Sequence, residues 1–107
     1  MLVVTTNDLP GFRIVKHFGV VRGITVRSRN AISNIGGSIQ IFFGGRITVY
    51  QTLAESTRQE AYDLMIADAN RLGANAILAM RYDANEIAAA VTEMVAYGTA
   101  VIVEEVR

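Results

Sequence analysis

Between Val91 and Val103 the chain is apolar on both sides of a two-residue alternation. Met94, Ala96, Ala100 and Ile102 fall on one side, and Val95, Tyr97, Val101 and Val103 on the other. Successive side chains of a strand point to opposite faces of its sheet, so a strand apolar on both faces has to be covered on both. This predicts a central strand with a helix packed on one face and another subunit on the other. The face with Val95, Tyr97 and Val101 is the one expected to meet that subunit.

The rest of the composition points the same way. A chain of 107 residues makes one domain, residues 1–107, and leaves no room for a second core. Its hydrophobic fraction is 51% against 19% charged, where an average soluble domain carries about 25% charged residues. A domain this small cannot hide so much apolar surface by itself, and burial between subunits is the natural outlet. A bilayer is not, because runs such as Ala76 to Met80 and Ile87 to Val91 fall far short of the roughly 18–20 apolar residues that span one. Leu2 to Val4 gives way at once to Thr5, Thr6, Asn7 and Asp8 without a basic flank, so no secretory signal is read there. The absence of cysteine excludes disulfides and thiolate zinc sites and fits a cytoplasmic protein.

Net charge is zero, yet residues 1–46 hold six basic residues against Asp8 alone, and residues 47–107 hold nine acids against four arginines. Such asymmetry can mark a polyanion surface. Without an overall basic excess, mutual neutralisation within or between subunits is the preferred reading, and no nucleic-acid partner is expected.

Along the chain, Phe12 to Val26 alternates with one mostly apolar face (Phe12, Ile14, Phe18, Val20, Ile24, Val26), which predicts a long strand. Gly19 and Gly23 should bend or bulge it, and Leu2 to Thr5 suits a short flanking strand. Ile32, Ile35, Ile39, Phe42 and Phe43 fall at helical spacing between an N-cap candidate, Asn30, and Gly44-Gly45. Thr52 and Glu55 have capping-box spacing before Ala61, Leu64, Met65, Ala69 and Leu72, a helix face that ends at Gly73. Whether that helix begins at Thr52 or near Gly45 is open, since Ile47, Thr48 and Val49 prefer strand. A strand from Ala76 to Asp83 and a polar turn from Asp83 to Glu86 precede the central strand. In that strand Ala76, Leu78, Met80 and Tyr82 should share one face.

Few residues carry chemistry. His17 is the sole histidine. Mechanisms that need a histidine pair are thereby excluded, and His17 with Arg13 or Asp83 is left as the one enzymatic alternative. Gly36-Gly37-Ser38 and Gly44-Gly45-Arg46 suggest backbone nests for an anion, with Arg46 as charge partner, but neither has phosphate-loop spacing. The acids around Asp83 and Glu86 match no calcium loop. Met65, Met80 and Met94 read as core fillers. The candidate ligand-binding residues are Arg13, His17, Arg46, Arg81 and Asp83, with no cofactor and no metal ligand among them.

The ordered set Gly19-Val20-Val21-Arg22-Gly23, Gly44-Gly45 with Tyr50, Leu72-Gly73-Ala74-Asn75-Ala76-Ile77 and Tyr97-Gly98-Thr99-Ala100-Val101 resembles the YbjQ-like family over essentially the whole chain. That resemblance implies an α+β, dodecin-subunit-like fold: a three-stranded antiparallel sheet packed with one long helix and one shorter helix. It also implies a ring-shaped homopentamer and a long helix starting near Gly45. The family supplies no catalytic residue to carry over, and likeness of fold to dodecin does not transfer flavin binding. Its heavy-metal-binding label conflicts with a chain of no cysteine and one histidine, with Met65, Met80 and Met94 on proposed core faces, because soft metals select thiolates and thioethers and copper and zinc favour imidazole. The expected function is therefore a non-enzymatic oligomeric module binding a small ligand or protein partner at subunit interfaces, with metal binding second and a His17 enzyme third.

Overall fold

The structure, a computed structural model, describes residues 1–28 and 46–107, with side chains described from Tyr50 onward in the second stretch. Its elements are β1 (Leu2–Val3), β2 (Phe12–Ser28), α1 (Arg46–Leu72), β3 (Ala76–Ala88) and β4 (Val91–Glu105). They form one sheet in the order β1-β3-β4-β2. The two-faced segment, β4, lies inside the sheet as expected, antiparallel to β2 and β3.

The expected three-stranded antiparallel sheet of the dodecin-subunit-like fold is corrected to a four-stranded mixed one. Leu2 and Val3 pair in parallel with Ala76 and Ile77. The backbone N–H groups of Leu2 and Val4 donate to Asn75 and Ile77, and those of Met80 and Ala79 return to Val4 and Thr6. The flanking strand anticipated at Leu2 is thus a ladder partner of β3. Of the two helices expected, α1 is the one found among the described residues. The shorter helix between Asn30 and Gly45 and the nests at Gly36 and Gly44 lie outside them. The class remains α+β.

α1 begins at Arg46, close to the start implied by resemblance, so Thr52 and Glu55 sit within the helix and cap nothing. Thr57 Oγ1 bonds back to the Leu53 carbonyl at 2.7 Å. The helix closes with Ala74 N–H donating to Ala69 and Gly73 N–H to Asn70, the paired bonds of a Schellman ending. Its buried residues are Thr57, Ala61, Met65 and Ala69, one stripe at spacing four, and Leu64, expected in the core, is exposed. The stripe packs on Val21, Met94, Ala96 and Ala100. Contact is closest at Gly23, where a β-carbon would stand 2.1 Å from the Ala61 carbonyl oxygen and 2.5 Å from Met65 N.

Three local departures redistribute the faces. Register shifts between Ile14 and Lys16 and between His17 and Gly19, with Gly19 at φ 96°, make the bulged strand that its glycine suggests. Gly23 is no bulge; it is where the helix touches. In β3 a further shift between Leu78 and Arg81, with Ala79 at φ 53°, inserts a residue and reverses the alternation. Ala76 and Leu78 therefore join a second core with Val101 and Val103, whereas Ile77 and Met80 join the helix-side core. Finally, β3 continues through the expected turn at Asp83–Glu86 to Ala88, and the chain reverses at Ala89 and Ala90.

The second core corrects another expectation. Val101 does not face a subunit; it is fully buried by its own chain, under Val4 and Leu9 of the segment that joins β1 to β2. Among the described residues, the apolar excess on this side of β4 is covered from within at one end of the sheet only.

Candidate functional site

The four candidate residues whose side chains are described do not converge on one site. Arg13 lies at the start of β2, paired with Glu104 at 2.9 Å, both exposed. His17 lies between the two register shifts of β2, opposite Val101, and is exposed with no hydrogen-bond partner among the described residues. Arg46 opens α1, and its side chain lies outside the described residues. Arg81 and Asp83 are together on β3. Arg81 Nη1 donates to the carbonyls of Thr5 and Met80, each at 2.8 Å, and Asp83 Oδ1 accepts from Ala84 N–H at 3.0 Å. Arg13 sits opposite Glu104 of β4 and Arg81 opposite Tyr97, so along β4 they are about 23 Å apart at roughly 3.3 Å per residue. Along β4 His17, opposite Val101, is about 10 Å from Arg13 and about 20 Å from Asp83, which sits opposite Val95, so neither pairing invoked for an enzyme is assembled.

What the fold does assemble is a surface. At the end of the sheet away from β1, α1 covers one face, and the other carries Val20, Arg22, Ile24 and Val26 of β2, Val95 and Tyr97 of β4, and Arg81 and Asp83 of β3. Val20 is 74% exposed, Val26 48%, Ile24 42% and Tyr97 37%. Of the residues that sequence alternation marks as the apolar face of β2, Val20, Ile24 and Val26 are left open, whereas Phe18, beyond the bulge, packs on the helix-side core; the opposite face, with Val21, Gly23 and Thr25, is under the helix. A contiguous apolar area of this kind, ringed by charge, is the ordinary mark of an interaction site.

Beside this face, along the outer edge of β2, runs a groove of about 590 Å³ lined by Arg22, Gly23, Ile24, Leu64, Asp68 and Arg71. The exposed Leu64 forms part of its wall. Asp68 accepts from Arg71 Nη2 at 2.6 Å and from the Arg22 backbone N–H at 3.3 Å. The Arg71 hydrogen bond holds the Asp68 carboxyl below its ordinary value near 3.8; partial burial opposes this, and the Arg22 N–H adds to the lowering. A depressed folded-state pKa stabilises the fold above the unfolded value, and that stability is lost as pH falls through the folded one. Asp68→Asn should therefore flatten the melting temperature against pH below about pH 4 relative to wild type, an effect of less than about 1 kcal/mol for so exposed a pair. A wild-type acid limb unchanged by the substitution would reject this role.

Chemically, the surface offers apolar area and arginine rather than a reaction centre. Among the described residues no three His, Cys, Asp or Glu side chains are grouped to hold a metal. With no thiolate, one exposed imidazole and the thioethers of Met65, Met80 and Met94 buried in the helix-side core, the donor set does not fit a soft metal ion. The described helix is not long and apolar enough to cross a membrane. Sequence reasoning missed Asp68, Leu64 and the edge of β2. The one signal for them is Leu64, whose apolar side falls off the narrow stripe at Thr57, Ala61, Met65 and Ala69.

Comparison with known proteins gives three consistent findings. A family model described as "Putative heavy-metal-binding", the YbjQ model, matches residues 1–104. A UPF0145 protein of Burkholderia orbicola is 54% identical over 103 residues, 96% of this chain and 86% of that protein. One from Burkholderia mallei is 55% identical over 100 residues, 94% and 90% of the two. Among solved structures, a protein of unknown function from the DUF74 family of Pediococcus pentosaceus superposes with a TM-score of 0.59 at 17% identity. That match covers 97% of this chain and 98% of the other and speaks to the fold alone.

Proposed function

Since this chain belongs to the YbjQ family, we propose that it is a non-enzymatic homo-oligomeric module, a pentamer by the family resemblance, that works in the cytoplasm. Its subunit interfaces bind a small ligand or a protein partner. The observation that carries this reading is the open sheet face, where four large apolar side chains of β2 and β4 stand exposed in the lone subunit. Leaving such side chains in water forgoes about 25 cal/mol for each Å² that burial would remove. The family's heavy-metal description gains no support from the donor atoms of this chain, and the scatter of Arg13, His17 and Asp83 argues against catalysis.

The test is to place charge on the face. Val20→Asp with Ile24→Asp should leave the melting of a dilute single subunit within about 0.5 kcal/mol of wild type, as surface changes do. In an oligomer they would bury unpaired carboxylates and dissociate it. Light scattering at micromolar concentration should show a multiple of the 11.6 kDa subunit for wild type and a lower mass for the variant. A wild-type monomer would sink the reading.

A further inference from the structure

Resting on the homo-oligomer reading, we propose how one subunit meets the next: the outer edge of β2 pairs in parallel with the outer edge of β3, from Tyr82 to Glu86 ahead of the register shift between Glu86 and Ala88, of a second copy of this chain. Both edges are unpaired among the described residues. β2 is the last strand of the sheet, and β1 with the residues just after it engages the β3 edge only as far as Met80. Exposed edges of this length are templates for strand addition.

The backbone fixes the sense of the pairing. Arg22 N–H is held by Asp68, and the Val26 carbonyl by Arg27 Nη1. The even residues of β2 therefore aim their backbone groups outward while their side chains lie on the open face. On β3 the outward N–H of Ala84 is held by Asp83, and the even residue Tyr82 lies on the helix face, its ring 5.2 Å from the Arg58 guanidinium. Outward groups thus belong to opposite faces on the two edges. In an antiparallel pair, facing residues both aim their groups at each other and share a face, so antiparallel joining would put neighbouring helices on opposite sides. Parallel joining keeps every helix on one side. Because β2 and β3 both run antiparallel to β4, they point the same way, and rotation about an axis along the strands brings them together in parallel.

Charge selects the same match. β2 carries Arg13, Lys16, Arg22 and Arg27 and no acid, and Tyr82 to Glu86 carries Asp83 and Glu86 and no base. Arg13 and Arg27 already meet Glu104 and Glu60, whereas Arg22 has no carboxylate on its guanidinium among the described residues. Asp68, Arg27 and Asp83 are then temporary caps, which shield the edges of a lone subunit and swing aside when a ladder forms. A junction of two different edges is heterologous and closes into a ring or runs on as a filament, with the open face of Val20, Ile24 and Tyr97 turned to one side throughout.

With no native cysteine, introduced thiols report the contact directly. Ile24 and the odd β3 residues share the open face, so Ile24→Cys is combined in turn with Asp83→Cys and with Asn85→Cys and oxidised. Within one chain these positions are two strand spacings apart, about 10 Å, beyond the roughly 7 Å that a disulfide spans. At least one combination should yield a covalent ladder of subunits, and each single variant should yield none. Arg22→Glu alone, or Asp83→Lys with Glu86→Lys, should raise the concentration for half-dissociation tenfold or more, and all three together should restore it. A crosslinked dimer from Ile24→Cys alone would show β2 meeting β2 and overturn the proposal. So would an oligomeric wild type whose mass survives both charge reversals with no ladder from either thiol pair, which leaves the oligomer itself standing. A monomeric wild type would remove the oligomer first.

Discussion

Gly23→Val is expected to leave little folded protein at physiological temperature. The position has no room. A β-carbon there would lie 2.1 Å from the Ala61 carbonyl, 2.5 Å from Met65 N and 2.7 Å from the Leu64 β-carbon. Two of these three neighbours are helix backbone, which cannot rotate away as a side chain can. α1 must therefore move off the sheet as a body, opening the contacts of Ala61, Met65 and Ala69 with Val21 and Ala96. Overpacking costs about 1–3 kcal/mol where side chains can yield, and loss of packing along the stripe adds to it, so about 4 kcal/mol is expected. For a domain of this size each kcal/mol lowers the melting temperature by about 4–8 °C. Circular dichroism melts should show a fall of about 15 °C or more, or no cooperative transition. Gly11→Ala is the control, since its β-carbon meets nothing and only its φ of 85° opposes the change. A Gly23→Val protein that melts like Gly11→Ala would mean that the helix does not touch β2 as described.

Val101→Asp is the second large effect, and it acts on folding rather than on assembly. Val101 is wholly buried among Ala76, Leu78 and Val103, closed over by Val4 and Leu9. None of these side chains bears a partner for a carboxylate, and an unpaired buried ion costs about 3–5 kcal/mol when a pair is broken in such a setting. The chain can escape by lifting residues 4–9 off the sheet to admit water, at the expense of the Val4–Ile77 and Ala79–Thr6 backbone bonds. Hydrogen exchange should therefore quicken first at Val4, Ala79 and Met80 and only then at Val21 and Ala96. Loss of mass without any fall in melting temperature would show that Val101 faces a neighbour after all.

These two positions mark where the sequence was legible and where it was not. The alternations of β2 and β4 place both strands within a few residues of their ends, because period two survives in any half-buried strand. The alternation does not say which face the helix takes. On β2 the more apolar face is the uncovered one, since α1 needs the small and flat side offered by Gly23 and approaches too closely for a bulky residue. In β3 the inserted residue at Ala79 carries no compositional mark, as alanine is not a residue that advertises positive φ. The faces read from Ala76 to Tyr82 were consequently wrong beyond Leu78. The fourth strand was visible in Leu2 and Val3, but its parallel pairing depends on Ala76 and Ile77, which no local pattern links to the N-terminus. The candidate site was the least legible part. Charged residues such as Arg13 and Asp83 draw notice by type, yet the surface that the fold builds is defined by Val20, Ile24 and Tyr97, which in sequence look like core.

The strand order also bears on synthesis. Leu2 and Val3 find their partners at Ala76 and Ile77, but Phe12 finds its own at Glu105, so the β2–β4 ladder is not complete until the end of β4 has been translated. β2 begins at Phe12 and β4 ends at Glu105, about 90 residues later, a wait of about 5–20 s at about 5–20 residues per second. Throughout that interval an alternating apolar segment is exposed beside the identical segments of neighbouring chains on the same message. The like charges of Arg13, Lys16, Arg22 and Arg27, spaced along the whole of β2 with no acid to neutralise them, repel those copies from one another. The acids that relieve this repulsion, from Glu60 onward to Glu104, are made later, and a nascent strand is guarded until its intended neighbours exist.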